Sequence, residues 1–148
     1  MKRIIYVGFD QLNSKYGALK GADPKSDLIA LVESARMVTG SNWNKVRLYF
    51  LISSAHHFAA ELTQAGFTVV YQKAATTVDG LKQLRADHGN LPIIAATPNS
   101  FRLSKSLADF GVTFVENDFF LTPRALFDQW AGGQKSYLLI GLRARKVT

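Results

Sequence analysis

Residues 3–13 read RIIYVGFDQLN, an apolar run followed by a polar corner, and this pattern is the main indication of the fold. Residues 3–7 form a short, continuous apolar run rich in β-branched side chains, which is typical of a strand buried on both faces of a sheet. The run stops at Gly8, and an aromatic residue, an acid and an amide follow. The sequence therefore predicts a central strand that ends in a polar corner. That corner is either an ordinary turn or the edge of a binding crevice.

The rest of the chain alternates strand-like and helix-like segments. Further strands are predicted at residues 28–33, 67–72, 92–96 and 112–115. Helices are predicted at residues 43–65, 78–87, 100–110 and 123–130. Such alternation predicts βαβ units. The predicted fold class is α/β, a Rossmann-like three-layer sandwich around a five-stranded, mostly parallel sheet in the order 3-2-1-4-5. The domain is expected to span residues 1–131, and residues 132–148 to form a C-terminal tail.

Composition narrows the classes of protein and of site. A chain of 148 residues suits one domain with a sizeable core. It has no cysteine, which excludes disulfides, thiolate zinc sites, cysteine-ligated iron–sulfur clusters and a cysteine nucleophile. No apolar stretch reaches the roughly 20 residues of a membrane span. The apolar run at the N-terminus is too short for a signal peptide. These features predict a cytoplasmic protein with no membrane partner.

The net charge of +7 is high for this length. It favours polyanionic partners such as nucleic acid. No cluster of lysine and arginine is dense enough to resemble a nucleic-acid-binding arm, so an ordinary basic protein is the favoured interpretation of the charge. Any binding to DNA is therefore expected to be weak or indirect.

Polar side chains meet where the predicted strand order reverses, between strands 1 and 4. Ligands of open parallel sheets bind outside the carboxyl ends of the strands at such a point. The facing loops carry Phe9, Asp10 and Gln11 on one side and Thr97, Pro98 and Asn99 on the other. Glu33 ends the second strand, where a carboxylate can bind ligand hydroxyls or simply face solvent. Asp10 and Gln11 can equally cap their own loop.

Signatures of catalysis and metal binding are weak. There is no G-x-G-x-x-G and no Walker A sequence. His57 and Glu61 share one face of the long predicted helix, but two ligands do not make a closed zinc site, and local packing is the simpler interpretation. Ser53 and Ser54 lack a nucleophile elbow. We therefore predict no catalytic residue and no metal ligand.

Apolar spacing predicts that four aromatic residues lie in the core: Phe119, Phe120, Phe127 and Trp130.

Five segments, in order, resemble photolyase-related proteins of the cryptochrome/photolyase superfamily, in its bacterial iron–sulfur branch. That branch opens with Gly-Asp-Gln-Leu, and here Phe9 stands between Gly8 and Asp10-Gln11-Leu12. The segment NKVRLYFLISSAHHFAAELTQAGFTVVY resembles two of these elements, a helix and the strand after it. ATPNSFR resembles a Thr-x-Pro-x-x-x-Arg element, and NDFFLTPRALFDQW resembles a Phe-Leu-x-x-x-x-x-Phe-x-x-Trp element. The resemblance covers about residues 3–131.

The resemblance implies the N-terminal antenna domain of that family. There, the catalytic FAD, the iron–sulfur cysteines and the DNA-lesion pocket belong to a following helical domain, which is not expected in these 148 residues. It is thus expected to be a truncated piece, a remnant or a free-standing module, and to repair no DNA alone. FAD and an iron–sulfur cluster are not expected in it. A flavin-binding helical domain or chain is the implied partner, docked on the aromatic segment near residues 119–130 and the basic tail, and a homodimer stays open.

Antenna domains of this branch bind 6,7-dimethyl-8-ribityllumazine or a similar flavin-like chromophore. The implied cofactor-binding residues are Phe9, Asp10, Gln11, Glu33, Val46, Thr97, Pro98 and Asn99. Glu33 would meet polar ring or ribityl groups, and Val46 would pack on the ring. Two other functions stay open: a small-substrate enzyme that uses Asp10, Glu33 and His57 as acid–base groups, and a basic DNA-binding accessory protein.

Overall fold

A computed structural model describes residues 1–40 and 42–133 of the chain. Its centre is a sheet of five strands, each of which pairs in parallel with its neighbours. The strands are β1 (Arg3–Tyr6), β2 (Asp27–Ser34), β3 (Thr68–Ala74), β4 (Ile93–Ala96) and β5 (Thr113–Val115). Their order is β3-β2-β1-β4-β5. The predicted α/β fold and strand order are confirmed. The predicted tail lies almost wholly outside the described residues.

Helices connect the strands. They are α1 (Ala35–Thr39), α2 (Lys45–Gln64), α3 (Thr77–Asp87), α4 (Phe101–Asp109) and α5 (Arg124–Gly132). The long predicted helix begins at Lys45 because the Asn44 side chain accepts hydrogen bonds from the amides of Val46 and Arg47. Ser100 caps α4 in the same way, as expected. Sequence reasoning missed α1, since five residues directly after a strand are too short to show a helical period.

Apolar side chains fill both faces of the sheet. Alternation along β1 sends Ile4 to one face and Ile5 to the other. Ile4 packs in a cluster with residues of α3 and α4, including Leu81 and Leu107. Ile5 packs in a second cluster with Phe58 of α2. The sheet therefore has one apolar core on each face, and the carboxyl ends of its strands are available for a binding site.

The aromatic segment after β5 is not part of either core. Phe120 is 58% exposed and Phe127 39% exposed, and no residue of α5 is buried. The expectation of a buried cluster was wrong for these residues. β5 is the edge strand of the sheet, and the aromatic segment follows it, so these side chains do not reach the two cores.

Gly80 marks the closest approach of α3 to the sheet. A Cβ at this position would lie 2.6 Å from Val32 Cγ1 and 3.2 Å from Ala74 Cβ. Gly80→Ala should gain about 1 kcal/mol of helix propensity but lose more through overpacking, which costs about 1–3 kcal/mol. We expect a net loss of about 1 kcal/mol in the free energy of unfolding, measured with urea.

The same change in a Val32→Ala background provides the control. With the Val32 methyl groups removed, only the 3.2 Å contact with Ala74 Cβ remains, so Gly80→Ala should cost clearly less than in the unmodified chain. An equal loss in both backgrounds would show that the contact with Val32 is not the cause.

Within the described residues, no helix combines the length and the apolar character that crossing a bilayer requires.

Candidate functional site at the carboxyl edge of the sheet

The corner after β1 is a tight turn. The amide of Gln11 donates to the carbonyl oxygen of Gly8 over 2.9 Å, which places Phe9 and Asp10 at the tip. The Gln11 side chain is buried, and its Nε2 donates to the carbonyl oxygen of Thr97 over 3.2 Å. The corners after β1 and β4 are therefore neighbours, as the strand order predicts.

A second bond joins the tips of these corners. Asn99 Nδ2 donates to Asp10 Oδ2 over 2.9 Å. Both residues are exposed, so water competes for this bond and its net contribution is small. A flat ring cannot lie between Asp10 and Asn99 while they are bonded. The space for a ligand must therefore lie beside this bridge.

Asn117 extends the bonded corners to the edge strand. Its Nδ2 donates to the Thr97 carbonyl oxygen over 2.8 Å and to Asn99 Oδ1 over 3.0 Å. Its Oδ1 accepts from the amide of Phe119. Sequence reasoning missed Asn117, although it is a polar residue that closely follows a strand, as Asp10 and Asn99 are. One amide side chain thus fixes both the β4 corner and the start of the aromatic segment.

An open cleft lies on the β5 side of the bridge. Its volume is about 970 Å³. One wall is the β4 corner, with Thr97, Pro98 and Asn99, and the other is the aromatic segment and α5. The remaining lining residues are Glu116, Asn117, Phe119, Phe120, Leu121, Thr122, Arg124, Ala125, Phe127 and Asp128. Aromatic walls, a few polar groups and this volume suit a heterocyclic ligand.

A different cluster lies on the β3 side of the bridge. The Tyr71 hydroxyl donates to Glu33 Oε2 over 2.7 Å, and the Tyr71 ring stacks on His56 with 4.0 Å between centroids. Lys73 Nζ lies 3.5 Å from Glu33 Oε1. The Phe9 ring is 6.0 Å from that of Tyr71. Glu33 is thus mostly buried, hydrogen-bonded and paired with a cation. Sequence reasoning missed Tyr71, because side chains from different elements meet here, whereas the helix histidines were expected to pack locally, as His56 does.

Known proteins match this sequence over most of its length. The family described as deoxyribodipyrimidine photo-lyase-related protein matches residues 5–140, which is most of the chain. The chain belongs to this photolyase-related family. A curated relative is the (6-4) photolyase of Agrobacterium fabrum (strain C58 / ATCC 33970), which is 28% identical over 148 aligned residues. The match covers 92% of this chain but 29% of the relative, so the chain spans less than a third of that protein's length.

Seven of the eight residues predicted from the resemblance divide into two groups in this photolyase-related domain. Thr97, Pro98 and Asn99 line the cleft, and Asp10 and Gln11 hydrogen-bond to its corner. Phe9 and Glu33 lie in the cluster on the β3 side. The structure brings the two groups to the same edge of the sheet but not to a common pocket.

Val46 stands apart from both groups. It is 75% exposed, and it lies nine residues before Ala55, which α2 buries against the sheet. At 3.6 residues per turn, nine residues are two and a half turns, so Val46 and Ala55 point in opposite directions. Packing of Val46 on a ring at the strand ends therefore finds no support in this geometry.

The acid–base trio of the rival enzyme hypothesis is not assembled in the photolyase-related domain. Asp10 is bonded to Asn99, and Glu33 to Tyr71. The histidine beside Glu33 is His56, with Nε2 3.9 Å from Oε2. His57 follows buried Ala55 by two residues, which is a rotation of about 200° around the helix axis. The His57 side chain therefore points away from the sheet. The structure therefore offers no cluster of these three groups for proton transfer.

Alkaline titration should separate the tyrosines of this domain. Burial raises the pKa of Tyr71, and its hydrogen bond to Glu33 adds to the effect. Burial likewise raises the pKa of Tyr6. The folded state thus holds both phenols protonated. The stability they contribute is present below the ordinary pKa of about 10 and is lost as the pH rises through the raised folded values.

Phenolate absorbance near 295 nm should therefore appear in two stages. The first stage belongs to phenols that the fold does not bury. Tyr6 and Tyr71 should ionise only as the fold opens. Tyr71→Phe should remove part of the late stage and leave the early one unchanged. A single transition for all five tyrosines, in a protein still folded by circular dichroism, would contradict the burial of these two phenols.

Proposed function

We propose that this chain is an antenna-type domain that binds a planar, flavin-like heterocycle at the carboxyl edge of its sheet and performs no chemical step itself. The ligand class is 6,7-dimethyl-8-ribityllumazine or a close analogue. The observation that supports this most directly is the cleft of about 970 Å³, which has three predicted residues on one wall and aromatic rings on the other. Family membership supports the same function.

The aromatic wall is suited to one face of a ring. Phe119, Phe120 and Phe127 line the cleft, and phenyl rings favour offset-stacked contact with flat heterocycles. The Phe119 backbone is held by the side-chain carbonyl of Asn117. Stacking on a fixed ring costs little conformational entropy, so this wall is a good receptor for a rigid ligand.

Polar groups at the cleft are suited to the rim of the ring. Arg124 and Asp128 lie on α5 and line the same space. A guanidinium can donate to the carbonyl oxygens of a lumazine, and a carboxylate can accept from its ribityl hydroxyls. Asp10 and Gln11 contribute indirectly, because their bonds hold Asn99 and Thr97 in place.

Excitation transfer is the role that such binding would serve. A chromophore in this cleft would absorb near-ultraviolet or blue light and pass the energy to a flavin in a separate helical domain or chain. DNA repair, FAD binding and the activity of the whole relative would then depend on that partner. The aromatic segment, which is exposed in this chain, is the proposed contact.

Titration with 6,7-dimethyl-8-ribityllumazine, followed by its fluorescence, tests the proposal. Phe127→Ala should weaken binding about tenfold, because a stacking contact is worth about 1 kcal/mol or more. Phe101→Ala is the matched control: Phe101 is 79% exposed but lies on α4 outside the cleft lining, so affinity should not change.

A second arm locates the ring. Glu33→Gln changes the cluster on the β3 side and should leave affinity within about twofold, since Glu33 does not line the cleft. If Glu33→Gln abolishes binding and Phe127→Ala does not, the ring sits on the β3 side. If the unmodified chain shows no saturable binding, the antenna function is wrong.

A further inference from the structure

The first half of α2 presents an apolar face that nothing in the described structure covers. The second half of the helix is seated on the sheet, through Ala55, Phe58 and Leu62. No residue between 45 and 54 is buried. At 1.5 Å per residue, Val46 lies roughly 13 Å beyond Ala55 along the axis. Residues 45–50, in the first two turns of α2, are mostly exposed and contribute little to packing on the sheet.

Four large side chains are exposed on and just before these turns. Trp43 is 38% exposed, Val46 75%, Tyr49 75% and Phe50 67%. Val46, Tyr49 and Phe50 lie three and four residues apart and share one face of the helix. Such a concentration of exposed apolar side chains marks an interaction surface more often than chance exposure. We call residues 43–50 the α2 platform.

Cations lie among these aromatic rings, and acids are absent. Lys45 and Arg47 are exposed within the α2 platform. The Arg47 guanidinium stands 5.0 Å from the centroid of the Trp43 ring. No aspartate or glutamate occurs between Glu33 and Glu61 in the sequence. The surface is therefore both aromatic and positively charged, on a chain whose net charge is +7.

We propose that the α2 platform is a docking surface for single-stranded nucleic acid. Unpaired bases stack on exposed aromatic side chains, and neighbouring cations pair with the phosphates. Tyr49 and Phe50 supply the rings, and Lys45 and Arg47 supply the charges. A duplex is the poorer occupant, because its bases are already stacked on one another and cannot reach these rings.

A second copy of the chain is also a poorer occupant. It would bring the same cations and the same +7 charge to the interface. Like charges oppose such an association, and between residues 34 and 60 there is no acid to offset them. Charge complementarity therefore favours a polyanion over self-association. This surface shares no residue with the lumazine cleft, so either function can fail without the other.

Fluorescence anisotropy with the full chain and a labelled oligothymidylate of about 20 nucleotides tests this. Tyr49→Ala and Phe50→Ala should each weaken binding about tenfold, which is typical of one lost base stack. The control is Phe101→Ala, another exposed phenylalanine, which should have no effect.

The salt dependence tests the charged part of the surface. Lys45→Gln should reduce the slope of log K against log salt by about 0.7, the value for one phosphate contact in a single strand. Lys82→Gln, at an exposed position on α3, should leave the slope unchanged. All of these positions are exposed, so melting temperatures should match that of the unmodified chain. If Tyr49→Ala fails to fold, Phe50→Ala carries the test.

Any of the following results would overturn the proposal. The first is no binding of the oligonucleotide at low salt. The second is equal binding by the aromatic variants and the unmodified chain, or binding of a duplex as tight as that of the single strand. The third is a doubling of mass in solution that Tyr49→Ala abolishes, in a chain that binds no oligonucleotide, which would identify a second copy as the occupant.

Discussion

Replacing Asp27 with asparagine is expected to lower the free energy of unfolding by roughly 2–4 kcal/mol. Asp27 is buried and starts β2 directly opposite Arg3 of β1. Arg3 Nε and Nη2 donate to its two carboxylate oxygens over 3.0 and 2.9 Å, and the amide of Asp23 donates to Oδ2. Asparagine has a single acceptor oxygen and leaves the Arg3 charge without a partner. Urea denaturation measures the loss.

Acid should reveal the same pair. The hydrogen bonds from the Arg3 guanidinium hold the pKa of Asp27 below its usual value of about 3.9. The stabilisation is therefore complete above that value and is lost as the pH falls through the lower, folded-state pKa. Asp27→Asn should remove this part of the acid sensitivity. Asp109→Asn, at an exposed position, is the control. Equal stability of Asp27→Asn and Asp109→Asn would contradict the role of the pair.

Gly17→Ala is expected to cost roughly 2–4 kcal/mol, from two sources. Gly17 has φ of 61°, which a residue with a Cβ adopts only with strain. That Cβ would also lie 2.8 Å from Phe119 Cε2 and 3.0 Å from Ala96 Cβ. The Gly17 amide donates to Asp118, so a shift of this turn also disturbs the start of the aromatic segment.

Gly21→Ala separates the two sources. Gly21 has φ of 77°, but a Cβ there would meet nothing within 4 Å. It should therefore lose only the backbone term, about 1 kcal/mol. Urea denaturation of both variants gives the difference, which is the cost of displacing Phe119 and Ala96. Equal losses would mean that the loop before β2 does not support the cleft wall.

The fold could be read from the sequence because its signals are local. The run at residues 3–7 is apolar on both faces, as a central parallel strand must be, and Ser100 marks where α4 begins. The alternation of strands and helices then leaves few arrangements. Residues after β1 and β4 could be placed together because parallel strands end at one edge, and the bond between Asp10 and Asn99 confirms that they meet.

The details of the site depend on contacts between elements that are distant in sequence. The pairing of Tyr71 with Glu33 depends on the register of β3 against β2, and the stacking on His56 depends on the rotation of α2. Apolar spacing near Phe127 resembles that of a core helix, yet α5 lies past the edge strand. The outward orientation of Val46 follows from which face of α2 meets the sheet, and the sequence pattern of that helix did not define this face.

Equilibrium dialysis of the full chain against 6,7-dimethyl-8-ribityllumazine tests the central claim most directly. The proposal predicts saturable uptake of one lumazine per chain, with its absorbance band shifted by the aromatic walls. It also predicts that Phe127→Ala weakens this uptake while Phe101→Ala does not. An unshifted spectrum and equal lumazine concentrations on both sides of the membrane would contradict chromophore binding, and membership of the photolyase-related family would then be the only part of the assignment to stand.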